Sequence, residues 1–136
     1  MTGVDPAQLV ATMPFAVAVG IEIDAASKDE VRGRLPWSPE RCTTAGLMHG
    51  GALMTLADSL GAVCAFLNLP EGASTSTISS STNFFRAVRD GEAHATARPL
   101  HVGRTTIAVQ TEVRDANGKL VVLVTQTQAV LAAKTG

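Results

Sequence analysis

Four residues in one short stretch have the types and spacing for chemistry. In "MHGGALMTLADSLGAVCAFL", residues 48–67, His49 precedes the pair Gly50 and Gly51, and Asp58 follows eight positions after the first glycine. Glycines at a helix start place no side chain over the first unpaired backbone N–H groups, so a ligand oxygen can approach the positive end of the helix dipole. That is how a backbone oxyanion hole is built. The plainer alternative is a sharp loop-to-helix turn. Asp58 is the one carboxylate of a largely apolar helix. Partly desolvated, such a group holds its proton more tightly and serves as a base or a nucleophile. The plainer alternative for it is a solvated surface acid.

The element that must position these groups is a helix from about Gly50 to Leu67. Leu53, Leu56, Ala57, Leu60, Val63, Cys64 and Leu67 follow the 3.6-residue period and form its core face. Gly51, Thr55, Asp58, Ser59 and Ala62 follow the same period on a face of small and polar side chains. That stripe bears no Lys, Arg or Glu, whereas solvated helix faces commonly pair charges at i,i+4, and Asp has low helix propensity. From position 42 to 85 only Asp58 and Glu71 are charged, which predicts a segment built for burial. Helix geometry separates Gly50 from Asp58 by roughly 12 Å along the axis, too far for one carbonyl to meet both in one chain. If both act on one substrate, the Gly50 end of one subunit must meet Asp58 of another, with helices side by side across a two-fold axis.

Around this helix, "DPAQLVATM" predicts a short opening helix with Asp5 as N-cap and Pro6 in its first turn. "GIEIDAAS" and "EVRGRLPW" alternate as a hairpin turning at "KDE". "SPERCTTAGLMHGG" has loop composition. "GASTSTISSSTNFF" reads as a strand whose small side chains let something pack closely, and "EAHATARPLHVG", "RTTIAVQTEVRD" and "KLVVLVTQTQAVLA" as a meander. Ile107, Val109, Thr111 and Val113 share one face. The expectation is a single α+β domain over residues 1–136, with one antiparallel sheet covering one long helix.

With 46% hydrophobic and 17% charged residues and a net charge of −1, the composition is globular and implies no nucleic-acid partner. No basic leader precedes the first apolar run, and Pro14 and Gly20 break it, so neither signal peptide nor membrane span is expected. Cys42 and Cys64 fit a reduced, cytoplasmic chain. His49, His94 and His101 are too dispersed to suggest a metal site.

"GLMHGGALMTLADSLGA" resembles the signature of hotdog-fold acyl-CoA thioesterases of the phenylacetate-degradation type, Asn-x-x-Gly-x-x-His-Gly-Gly followed by an Asp eight residues after the first paired glycine. Gly46, His49, Gly50, Gly51 and Asp58 fit it, and "NFFRAVRDGE" and the element order extend the resemblance over most of the chain. The resemblance implies a central helix wrapped by an antiparallel sheet, a dimer or dimer of dimers, and hydrolysis of acyl-CoA with no cofactor beyond the coenzyme A of the substrate. By that resemblance the Gly50 N–H polarises the thioester carbonyl, His49 orients the loop, Asp58 of the neighbouring subunit attacks or activates water, and Thr77 takes the family's Ser/Thr position near the acid.

Two departures stand out: Thr43, or Thr44 with a shift, replaces the family's Asn, and Ala87 replaces the Pro after Arg86. A hydroxyl is a shorter and different hydrogen-bonding group than an amide. Arg86, Arg89 and Arg104 are candidates for coenzyme A phosphates, Arg104 foremost because it follows Gly103 at a turn. Trp37 and Phe66 line an acyl pocket or, as the better reading, fill core. Two other functions compete: a hydratase or dehydratase of acyl thioesters, whose His-Phe-Pro or Asp-plus-His signatures are not seen here, and a non-catalytic acyl-CoA-binding protein on the same fold.

Overall fold

A computed structural model of the chain describes residues 5–133. The first four residues, on which the absence of a basic leader partly rests, and the last three of the expected domain lie outside the described residues. Asp5 caps α1 (Pro6–Ala11), its side chain accepting the Ala7 N–H at 3.0 Å. A second helix, α2 (Pro14–Val19), follows where the sequence reading marks Pro14 only as a break. Pro14 sits in the first turn, where its missing N–H costs nothing, and Gly20 closes the helix in the left-handed region at φ 99°.

The hairpin of β1 (Glu22–Ala26) and β2 (Val31–Pro36) forms as expected. Two short 3-10 turns, Pro39–Arg41 and Thr44–Gly46, lead into α3 (Gly50–Leu67). The chain then forms β3 (Ser74–Phe84), β4 (Glu92–Val102), β5 (Thr106–Arg114) and β6 (Leu120–Leu131). These strands build one six-stranded antiparallel sheet in the order β1-β2-β4-β5-β6-β3. The meander runs β4-β5-β6, and β3 closes back onto β6 at the far edge.

The sheet wraps α3 in the hotdog arrangement. Leu53, Leu56 and Leu60 are buried against Val31, Leu35, Ile107, Val109, Val113, Val122 and Val124, which line the inner face of the sheet. Each buried leucine contributes about 1.5–3 kcal/mol relative to an exposed one. By length and mean hydropathy, 1.5, α3 alone among the described residues could cross a bilayer, but it is the core helix of this sheet. Ser59, read on the polar stripe, turns inward and is buried.

The two edges of the sheet differ. β1 is five residues long, carries Glu22 and Asp24 and is bulged between Ile23 and Ala25, devices that discourage further pairing. β3 is eleven residues long, has no charge, pairs only with β6 and is exposed along most of its length. Residues 42–85, expected to be built for burial, are so along much of α3 but not along β3, an edge strand of short side chains with one neighbour among the described residues. Exposed apolar side chains accompany it: Ile78 in the bulge between Thr77 and Ser79, then Phe84 and Phe85 at its end.

Candidate active site

The start of α3 is fixed by its loop. The Met48 N–H donates to the Val88 carbonyl at 2.8 Å and the His49 N–H to the Arg41 carbonyl at 2.7 Å. Buried Met48 pins the loop from below. His49 is the N-cap of α3, and its Nδ1 accepts the Gly51 N–H at 2.8 Å. This places the ring proton of neutral His49 on Nε2. The Gly51 N–H is engaged by His49, whereas no acceptor among the described residues meets the Gly50 N–H. Phe84 stacks beside Gly50, and a Cβ there would lie 3.3 Å from its ring.

Asp58 lies two turns further on, on the exposed face of α3 with Gly51 and Met54. Among the described residues no cation lies within salt-bridge distance of it. The residue is exposed, yet the protein around its carboxyl excludes enough water to raise it above the usual Asp value. The arrangement therefore offers a carboxylate of raised basicity and, at the other end of the same face, an unpaired N–H at a helix start.

The remaining predicted residues are dispersed. Thr43 is exposed in the loop before α3, its N–H donating to the Leu47 carbonyl at 2.8 Å. Thr77 lies on β3, where its hydroxyl accepts from Gln128 Nε2 at 2.8 Å. Arg86 and Arg89 are exposed in the segment after Phe84, at the end of the sheet where α3 begins. Arg86 stands near Asp115, whose carboxyl is held low by the backbone N–H groups of Lys119 and Asn117 with the Arg86 charge adding. Gly103 and Arg104 occupy the β4–β5 turn, where the adjoining Thr105 carbonyl accepts from Val130 beside the start of β3. The length of β3 puts that turn about 30 Å from Gly50 within one chain. Trp37 packs against the core and donates from Nε1 to the Gly46 carbonyl at 3.0 Å. Phe66, expected in the core, is instead exposed, since it projects from the helix face turned away from the sheet.

Sequence reasoning missed two features. Arg41 is half-buried beside a cleft at the start of α3, and its only sequence signal is its place as the last charge before the charge-poor segment. Gln126 and Gln128 are fully buried, and alternation with Val122 and Val124 in "VVLVTQTQ" would have placed them on the inner face.

A family model described as the thioesterase superfamily matches residues 45–122. A candidate esterase of Vibrio cholerae is 40% identical over 85 residues, 62% of this chain and 57% of that protein, so this match spans less than two thirds of the relative. The 1,4-dihydroxy-2-naphthoyl-CoA hydrolase of Escherichia coli is 28% identical over 111 residues, 82% of each chain. The crystal structure of a Haemophilus influenzae thioesterase superposes with a TM-score of 0.91 at 26% identity, covering 97% of this chain and 94% of that one.

Proposed function

The chain belongs to the thioesterase superfamily, and from that premise we propose that it hydrolyses acyl-CoA thioesters to a free acid and coenzyme A, in active sites shared between two subunits. One observation carries this reading: His49 engages Gly51 and leaves the Gly50 N–H unpaired, with the basic carboxylate of Asp58 eight residues along the same exposed helix.

The Gly50 N–H donates to the thioester oxygen and stabilises the charge that develops there. Asp58 of the partner subunit then acts on the carbonyl carbon. As nucleophile it forms a mixed anhydride, the thiolate leaves and takes a proton, and water cleaves the anhydride. As base it takes a proton from water, which attacks directly, and the thiolate leaves and is protonated. Both routes consume one water and use no metal or redox cofactor.

Two α3 helices side by side and antiparallel, with Gly50 opposite Asp58 of the partner subunit, place the two-fold axis near Met54. Met54 is 43% exposed, and the small residues beside it permit close approach. The open edge of β3 supports the same pairing, because a two-fold axis there joins β3 antiparallel to its copy. It also brings Arg104 of the partner subunit towards the end where Arg86 and Arg89 lie, so that these cations frame the entry for coenzyme A phosphates. Thr77 and Thr43 lie on the elements flanking this site, as hydroxyls for the acid and for water.

Thiol release tests the reading. Acetyl-, decanoyl- and benzoyl-CoA are offered to the protein and to Asp58→Asn. Turnover of at least one ester, lost in the variant while the melting temperature holds, is the expected result. Equal turnover by the variant overturns the assignment of Asp58, and no turnover of any ester overturns the hydrolysis.

A further inference from the structure

A cleft of about 780 Å³ opens beside the start of α3, a size usual for small-molecule sites. Its walls are Phe15, Ala18 and Val19 of α2 on one side and Ala52 and Thr55 of α3 on the other, and it adjoins His49 and Gly51. It therefore begins where the thioester carbonyl is bound in the function proposed above and continues away from it as a mainly apolar space.

Arg41 lines the same cleft. Its guanidinium is held from behind: Nε donates to the Val19 carbonyl, and Nη1 to the Pro36 carbonyl at 2.8 Å and to Ser38 Oγ at 3.1 Å. Nη2 packs over Gly20, where any Cβ would collide with it, and makes no hydrogen bond among the described residues. Among the described residues no carboxylate lies within salt-bridge distance of Arg41; Glu40, on the same turn, also lines the cleft and feels the Arg41 charge without pairing with it. A cation fixed by neutral acceptors, with a free pair of donors, matches an anionic group of a ligand. Its backbone carbonyl receives the His49 N–H at 2.7 Å, so this cation is tied to the loop that forms the oxyanion site.

We propose that this cleft receives the acyl group and that Arg41 selects acyl chains or rings bearing a carboxylate at the end remote from the thioester. The apolar walls cover the body of the acyl group, and the free Nη2 donors meet its distal oxygen atoms. The inference rests on the thioesterase reading, since it assigns the substrate class of the same site.

The test compares kcat/KM for 4-carboxybenzoyl-CoA and benzoyl-CoA in the unmodified protein, in Arg41→Gln and in Ala18→Phe. Expected is a preference of about tenfold or more for the carboxylated ester, as a charge-assisted hydrogen bond provides. Arg41→Gln should bring that ratio close to one, and a ratio unchanged in Arg41→Gln overturns the role of Arg41. Ala18 is exposed, so a phenyl group there is tolerated by the fold; Ala18→Phe should slow both aromatic esters more than it slows acetyl-CoA. Equal turnover of the two aromatic esters by the unmodified protein overturns the role of Arg41 and leaves hydrolysis standing. Unimpaired aromatic turnover by Ala18→Phe overturns the placement of the acyl group. Turnover of no ester overturns hydrolysis, and this inference with it.

Discussion

His49 Nδ1 accepts the Gly51 N–H at 2.8 Å, so the imidazole caps α3 and leaves its neighbour Gly50 as the free donor. His49→Ala removes that cap at a cost of about 1 kcal/mol, or about 4 °C in melting temperature. With the loop no longer fixed, kcat should fall about tenfold to a hundredfold. His49→Asn retains a good capping side chain and should recover both quantities. Recovery of melting temperature without recovery of kcat would assign His49 a direct part in the chemistry.

The Asp58 carboxyl titrates above its ordinary value of 3.8 because burial disfavours its charged form. Either route to hydrolysis needs the carboxylate, so kcat should fall with decreasing pH along a limb displaced upward from 3.8. Stability moves oppositely. The folded chain binds this proton more tightly than the unfolded one, so the ionised group detracts from stability as pH rises from 3.8 through the folded value. Asp58→Asn should therefore melt no lower than the unmodified protein at pH 7, and the difference should vanish below pH 3.8. A variant that melts well below the parent at pH 7 would show the carboxylate to be stabilising.

How far the sequence reveals this site depends on which forces place each residue. α3 is legible end to end, because its core leucines repeat at 3.6 residues and Gly50 and Asn68 bound it. The strands are legible from alternation, and the edge position of β3 is foreshadowed by its run of serine and threonine. What pairs with what is not, since α3 carries the chain from β2 across the sheet to β3 at the far edge, beside β6. Phe66 lies four residues after Ala62 and eleven after Thr55, so the helical period itself sets it with the small and polar stripe, and its apolar type alone suggests core. Arg41 escapes notice because its partners are backbone carbonyls, which no side-chain pattern records.

A shared site makes a prediction about mixtures. Asp58→Asn and His49→Ala are each impaired alone, but a dimer containing one of each has one site with both defects and one with neither. Unfolding and refolding an equal mixture should restore about a quarter of the parent activity, from half the dimers with one intact site each. No recovery, with mixed dimers confirmed by mass spectrometry, would place both groups in a single chain.

In the pairing proposed above, the exposed Met54 would stand beside its own copy at the axis. Met54→Lys sets two ammonium groups together there, and like charges held close oppose association. Light scattering should show a shift towards monomer at micromolar concentration, with loss of hydrolysis in proportion. A variant that remains fully dimeric would remove the helix pairing from the account.

Gly61 of α3 and Gln126 of β6 are packed so closely that a Cβ on Gly61 would overlap Gln126 Oε1 and stand 2.5 Å from its Cδ. The Gln126 amide is fully buried, and neither its oxygen nor its nitrogen has a hydrogen-bond partner among the described residues. An unpaired buried amide costs about 1–3 kcal/mol, so Gln126→Met, of similar volume, should raise the melting temperature. Gly61→Ala adds helix propensity worth about 1 kcal/mol but drives its methyl into the buried end of Gln126, which must shift, an overpacking cost of about 1–3 kcal/mol. The single variant should therefore be neutral to destabilising. Gly61→Ala combined with Gln126→Ala removes the collision, and the double-mutant cycle should show a favourable coupling of about 0.5–3 kcal/mol. Strict additivity in denaturant unfolding would mean that the two layers do not touch at this point.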